Sequence, residues 1–420
     1  MVRERYKNNE CIWLVLILIL AVGLRVVALY LIGTSRLPWD IEFEEIANNL
    51  VQSGRYSFSF YHLTPALPTS FIPPVYPLFL AFTRYFWAAN GDLVVRLIQI
   101  GISCITILGF NYLTRSLGGT QLQATLVALF WAIYPASISY SVDLSTVTVE
   151  TFFIIIGIWM VVRTASTRSP ISAIVAGISL ALATLTRPTW FILIPLILVW
   201  LAWYFHEISV RSLVVVALLG VASLISLTPW AIYNNITHGV WMVLSTNGGL
   251  NFWIGNNPKA TGEYIFPTEL NQDLVLSTIH LSEVDRDRFF YTQGIKFIQE
   301  HPRQFIHLAG RKLLYFFFFR PNIGNSYEAA KYRLFDLVRW LFIASWLVFI
   351  PYAIVGIFSL GKQWREHSLL FVILLSQAVV SMIYFSGTRF RTPIDGLVII
   401  WAVFGITAMV DWLKQRYLNT

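Results

Sequence analysis

The stretch CIWLVLILILAVGLRVVALYLIG, residues 11–33, is followed after four residues by PWDIEFEEIANNL, residues 38–50. The first segment is apolar over the ~20 residues that an α-helix needs to cross a bilayer. It carries Arg25 inside it and lacks a small-residue cleavage site, so it reads as a retained membrane span and not a removed signal peptide. The second segment places Asp40, Glu42, Glu44 and Glu45 within six positions at the mouth of that span. Acids are scarce in this chain, where charged residues make up 12% and hydrophobic residues 56%. Their concentration at one membrane edge frames the rest of the reading.

Working outward, apolar runs of similar length recur near 92–114, 122–140, 145–163, 171–186, 189–205, 212–232, 334–360, 368–386 and 393–412. With the first run they make about ten spans. Each must be helical, because lipid offers the backbone no hydrogen-bond partner. The expected fold class is therefore an all-α polytopic membrane protein. Cys11 and Cys104 both fall inside spans and are too few for a disulfide scaffold or a metal cluster. The formal charge of +8 is spread over the ends of spans, which fits topology and anionic lipid headgroups and not nucleic acid. Arg3, Arg5 and Lys7, then Arg115, Arg163 and Arg168, Arg211, Lys362 and Arg365, and Lys414 and Arg416 mark alternate connections. The positive-inside rule then sets both termini in the cytoplasm; for a bacterial host the membrane would be the plasma (inner) membrane.

Under that topology two long connections face the extracytoplasmic side. The first, Thr34 to Gly91, starts with a helix from Asp40 to near Gly54. It continues through a proline-rich strap, Pro65 to Pro77, that forbids regular helix, and then an interfacial helix after Pro77. The second runs from about 234 to 333. It opens with a turn-rich segment from Ser245 to Pro258 and continues with a helix capped by Ser282 and Asp285. His301-Pro302 breaks that helix. An interfacial aromatic helix follows, reaching Phe319, with Arg311 and Lys312 snorkelling. The organisation is a single integral-membrane domain: 1–233 as an N-terminal module, 234–333 as the external loop, 334–420 as the closing spans.

Three constellations can carry chemistry. Asp40, with Glu42, Glu44 and Glu45, suits both a helix N-cap complementing the dipole and a general base held at a membrane-facing cleft. Arg187, Arg389 and Arg391 lie at span ends on the side where the orientation rule makes basic residues scarce. Their planar donor forks match phosphate oxygens, which suits a lipid headgroup or lipid-phosphate substrate; snorkelling or pairing to a structural carboxylate is the bland alternative. Asp143 and Glu150 flank a turn between two spans, where an acid is either functional or paired with Arg25 or Arg96 inside the bundle. His62, His238 and His280 show no metal-ligand spacing, and there is no Walker A, GxGxxG or GxSxG motif.

With these residues in place the chain resembles the glycosyltransferase family 39 class, the GT-C-fold membrane enzymes that include protein O-mannosyltransferases. The resemblance rests on IANNL (46–50), GRYSF (54–58), PTSFIPPVYPLFLAF (68–82), VETFF (149–153) and LTRPTW (185–190). TPWAIYNN (228–235), STNGGLNFWIGNNPKATG (245–262), HPRQFIHLAGRKLLYFF (301–317) and RFRTPIDG (389–396) extend it over nearly the whole chain. It implies a GT-C-type bundle and transfer of a sugar from a polyprenyl-phosphate donor to a lipid, glycan or protein acceptor on the extracytoplasmic face. It implies a catalytic acid at Asp40, shared with Glu42 because Ile41 separates the two where many members have adjacent acids. It points to Arg389 and Arg391 for the donor phosphate, and to Glu150 as a second acid with Asp143 beside it. No cofactor is required by this reading, and a divalent metal stays open. A flippase for lipid-linked sugars and a non-catalytic assembly subunit are the rivals; neither paired repeats nor matching broken helices speak for the first.

Overall fold

The computed structural model describes residues 2–32, 41–206, 209–317 and 333–418. The chain begins with α1 (Val2–Ile32), α2 (Ile41–Ser53), a two-residue antiparallel ribbon of β1 (Ser57–Phe58) and β2 (Leu67–Pro68), and α3 (Val75–Trp87). Helices α4 (Gly91–Ser116), α5 (Gln121–Ile133), α6 (Pro135–Val142), α7 (Val147–Thr167), α8 (Pro170–Thr186), α9 (Leu193–Tyr204) and α10 (Val210–His238) complete the first bundle. The later loop folds as α11 (Gly248–Gly255), α12 (Pro267–Leu276), α13 (Glu283–Glu300) and α14 (Pro302–Phe317), before α15 (Arg333–Phe358), α16 (Trp364–Ile383) and α17 (Thr388–Leu418).

Among the described residues, α1, α4, α7, α10, α15, α16 and α17 contain segments long and apolar enough to span a bilayer. The pair α5–α6 is one further apolar path bent by 52°, and α8 and α9 are shorter apolar helices. These segments coincide with the ten runs expected from sequence, and the all-α polytopic class holds. The bend falls at Pro135, which has no N–H to continue the helix and follows Tyr134 in an extended conformation (ψ 122°). Arg25 of α1 fits against this break, donating to Ala132 O at 3.0 Å, Ser137 Oγ at 2.6 Å, Ser103 Oγ at 3.0 Å and Ala21 O at 3.1 Å. A fully buried guanidinium in a span is thus satisfied by one carboxyl-free cage.

The two long loops pack on each other. Ile46, Phe58, Phe60, Phe71 and Ile72 of the first share a core with Leu250, Trp253, Ile254 and Phe290 of the second. Glu283, in the first turn of α13, fastens them: it accepts from Thr69 Oγ1 and Ser70 N, each at 2.7 Å, and from Thr246 Oγ1. Ser282 caps α13 and accepts from Asp285 N at 3.1 Å, and α14 starts at Pro302, both as the sequence predicts.

Three local expectations are corrected. Helix α3 starts at Val75, two residues before Pro77, because proline is tolerated in a first turn where its N–H has no partner. The segment 245–258 holds a helix, α11, packed on α13 through Gly248, Gly249 and Gly294, where a side chain would collide with Tyr291, Asp287 and Phe252. Lys312 does not snorkel: it is buried and donates to Asn256 Oδ1 at 3.0 Å and Met382 O at 3.2 Å, tying α14 to the C-terminal end of α16. Phe318 and Phe319, the end of the expected aromatic helix, lie outside the described residues.

Helix α17 is set against α15 by small residues. A Cβ on Gly405 would stand 1.9 Å from Tyr352 O, and one on Gly356 would stand 1.8 Å from Trp401 O. Since both contacts are backbone, no side chain can give way. Gly405→Ala should therefore push the helices apart and cost ~1–3 kcal/mol, as overpacking does, seen as a lowered melting temperature of the purified protein.

Candidate functional site

The loops and spans enclose a cavity of about 970 Å³, at the upper end of the ~300–1,000 Å³ usual for ligand sites. Its wall changes character from one end to the other. Glu42 and Glu45 line it from α2, three positions apart and so on one helix face. Asn247, Gly248 and Asn251 line it from α11, and Tyr264 and Tyr291 from the later loop. At the other end Ile192 and Leu196 face a stripe of α16, Leu375, Val379 and Ile383, whose spacing of four again marks one face. Leu375 is 62% and Val379 52% exposed, so this end opens sideways onto the surface that the membrane covers.

Between the two ends stand Arg187 and Arg389. Arg187 follows α8 in an extended conformation, because the next residue, Pro188, disfavours helix before it. Its Nη1 donates to Glu150 Oε1 at 2.8 Å, and Trp190 Nε1 donates to Glu150 Oε2 at 2.8 Å. Glu150 is fully buried and occupied from both oxygens, so it aims Arg187 and does not itself line the cavity. Both guanidiniums approach the Phe390 ring, that of Arg187 at 4.8 Å and that of Arg389 at 5.1 Å from its centroid. Two partly buried cations sharing one aromatic ring make this part of the cavity a positive wall.

Arg391 has a different place. Its side chain is fully buried, with Nε on Asp395 Oδ1 at 2.7 Å and Nη1 on the carbonyls of Phe316 and Phe317 at 3.0 and 3.1 Å. It stacks on Trp346 at 3.7 Å, and Tyr134 donates to the second Asp395 oxygen at 2.8 Å. Two positions along a helix turn a side chain through about 200°, so Arg389 and Arg391 leave the first turn of α17 on opposite sides. One meets the cavity; the other pins α17 to α14, α15 and the bend at Tyr134.

The expected acids divide likewise. Asp40 lies outside the described residues. Glu42 is on the cavity wall, within electrostatic reach of Tyr61 and Tyr264. Tyr264 is also in reach of Arg389. Asp143 ends α6 outside the cavity lining, near Tyr140, which in turn bonds Thr388 and faces Arg187 and Arg389. Glu45, which the sequence assigns to helix capping, lines the cavity instead; its Oε1 accepts from Ser59 N at 2.8 Å. Tyr61, Tyr264 and Phe390 carry no sequence signal that relates them to the acids, because folding alone brings 42, 61, 264 and 390 together. Among the described residues no group of three His, Cys, Asp or Glu side chains is placed to hold a metal ion.

No family model matches the sequence, and no curated protein does either. Solved structures do. One is the archaeal oligosaccharyltransferase AglB from Archaeoglobus fulgidus in complex with an inhibitory peptide and a dolichol-phosphate, at 15% identity and TM-score 0.59 over 99% of this chain and 52% of that one. The apo form of the Archaeoglobus fulgidus oligosaccharyltransferase matches at 14% identity and TM-score 0.61 over 98% of this chain and 52% of that one. ArnT from Cupriavidus metallidurans bound to undecaprenyl phosphate matches at 15% identity and TM-score 0.41, over 94% of this chain and 77% of that one. The chain spans about half the length of the oligosaccharyltransferase structures. At this identity the likeness shows the fold alone, a polytopic all-α membrane bundle.

Two predictions follow from the geometry. Arg391→Met leaves Asp395 charged and buried without its cation and should destabilise the protein by ~3–5 kcal/mol; the double variant Arg391→Met/Asp395→Leu should recover much of that loss in thermal melts. In the later loop, burial lifts the Asp287 carboxyl to about 7, against the Gly249 amide that donates to it at 2.6 Å. A folded value above the ordinary 3.8 means a contribution that is full in acid and lost as pH rises through about 7. The melting temperature should fall from pH 5 to pH 8, and Asp287→Asn should flatten that fall.

Proposed function

We propose that this protein is a membrane glycosyltransferase that moves a sugar from a polyprenyl-phosphate-linked donor to an acceptor on the extracytoplasmic face, with both termini cytoplasmic. The observation that carries this reading is the cavity's polarity. A pair of arginines stands at the head of a groove open to lipid, and carboxylates stand across the same space. That arrangement fits a ligand with an anionic head and an apolar tail. The dolichol-phosphate in the complex of the structurally similar oligosaccharyltransferase is of that chemistry.

In this mechanism the isoprenoid lies against Ile192, Leu196 and the α16 stripe, and the phosphate meets Arg187 and Arg389. The sugar then occupies the space towards Glu42. Glu42, with Asp40 before it, takes the proton from an acceptor hydroxyl or amine as its heteroatom bonds the anomeric carbon. The bond from that carbon to the phosphate oxygen breaks, and the electron pair leaves on polyprenyl phosphate, neutralised by the arginines. Attack opposite the leaving group inverts the anomeric centre. Glu150 keeps Arg187 aimed, and Arg391 with Asp395 keeps the start of α17 in place. Asp143 supports Tyr140 at the foot of the positive wall.

Purified protein in lipid nanodiscs, given polyprenyl-phosphate sugars, should release polyprenyl phosphate. Glu42→Gln, judged beside Asp40→Asn, should lower the rate ~10²–10⁴-fold if it supplies the base; wild-type rates in both variants would remove the carboxylates from the mechanism. Arg389→Ala should raise the donor KM, and an unchanged dependence on donor concentration would refute the phosphate role.

A further inference from the structure

The wall of the cavity contains a feature that donor binding leaves unexplained. Tyr61 and His62 both adopt left-handed backbone conformations, with φ of 47° and 57°, an unfavourable state for consecutive non-glycine residues. Both line the cavity. The turn that holds them is buckled shut: Ser59 Oγ donates to Thr64 O, and Phe60 N donates to Thr64 Oγ1 at 3.1 Å. Glu45 anchors its base through the Ser59 amide. From below, the Arg286 guanidinium supports the Phe60 ring at 4.0 Å.

This strained turn presents a specific surface. Tyr61 and Tyr264 are within electrostatic reach of each other, and both rings stand edge-on to Phe266 at 6.1 and 5.8 Å between centroids. Burial, with Glu42 nearby, raises both phenols above their ordinary value, so they stay protonated and able to donate. On the helix side, Glu45 has spent one oxygen on Ser59, and its other, Oε2, is buried with no hydrogen-bond partner among the described residues. A buried carboxylate oxygen without a donor is costly, and the strained turn adds to that cost.

We infer that Glu45, Tyr61, Tyr264 and Phe266 form an acceptor subsite that takes a carbohydrate. Carboxylate oxygens accept from vicinal hydroxyls, phenols donate to or accept from further hydroxyls, and the aromatic faces cover the C–H side of a sugar ring. His62 and Leu63 are exposed at this lip, so the acceptor enters from water while the donor enters from lipid. This assignment of the acceptor side rests on the glycosyltransferase reading above.

Saturation-transfer NMR on the nanodisc-embedded protein tests it, with methyl α-mannoside, methyl β-glucoside and methyl β-galactoside as probes and the peptide acetyl-Ala-Ser-Ala-amide as the contrasting arm. Irradiating the protein's aromatic protons should label the ring C–H protons of at least one glycoside and not the peptide. Tyr61→Leu should weaken that binding about tenfold, equivalent to ~1.4 kcal/mol. Glu45→Gln, which keeps the side chain's shape, should weaken it similarly and carries the test if Tyr61→Leu does not fold. Transfer to the peptide alone, to no probe, or to a glycoside equally in folded variants would overturn the inference. Release of polyprenyl phosphate by the wild-type protein is measured separately, so a failure of glycoside binding beside intact donor turnover sinks the acceptor assignment alone.

Discussion

A charge among apolar helices has to find its partner inside the protein, because neither lipid nor a low-dielectric core will solvate it. Three buried groups meet that constraint. Arg25 fills the break at Pro135, Glu150 collects Arg187 and Trp190 around the break at Pro188, and Arg391 joins Asp395 across Pro393 inside α17 and takes the Phe316 and Phe317 carbonyls of α14. Interrupted helices expose carbonyls and redirect side chains, and the buried charges take up what is exposed. The helix ends that border the cavity are thereby fixed at the positions where precision matters.

The cost of such pairs explains which arginine does what. A fully buried ion pair is weak evidence for net stability, since desolvation offsets most of its attraction, but breaking it is severe. Arg391 sits in that regime and is committed to holding α17. Arg187 is aimed by Glu150 yet keeps part of its surface on the cavity, with side-chain exposure of 14%. Arg389 is half-buried and shares the Phe390 ring with it. Both of these line the cavity, and Arg391 does not.

Much of the architecture was legible in the sequence because lipid imposes a period and a length that composition cannot hide. All ten apolar runs became helices, including the bent pair, and the caps at Ser282 and Pro302 followed from local chemistry. The site was legible only in part. Arg187 and Glu150 were each suspected, but their mutual bond replaces the pairing with Arg25 or Arg96 that bundle chemistry suggested. Glu45 read as a helix-capping acid because nothing near it in sequence announces Ser59 as its partner. Tyr264 lies two hundred residues from Tyr61, and only the packing of the two long loops joins them. The segment 245–258 read as turns because its glycines and asparagines favour them; the glycines instead let α11 approach α13 at distances a side chain forbids.

The opposed placement of Arg389 and Arg391 was, by contrast, available from geometry. Once RFRTP is placed in the first turn of a helix, residues two apart cannot both face one ligand. A rotation of about 200° over two helical positions separates an arginine on the cavity from one in the scaffold. It also bears on how the cavity divides. The scaffold arginine holds the start of α17, the site arginine therefore has a fixed approach, and the aromatic turn at Tyr61 lines the same cavity. On the proposed reading, a tail from lipid and a ring from water meet at Glu42 without sharing an entrance, which is the order that transfer between a membrane-borne and a water-borne partner requires.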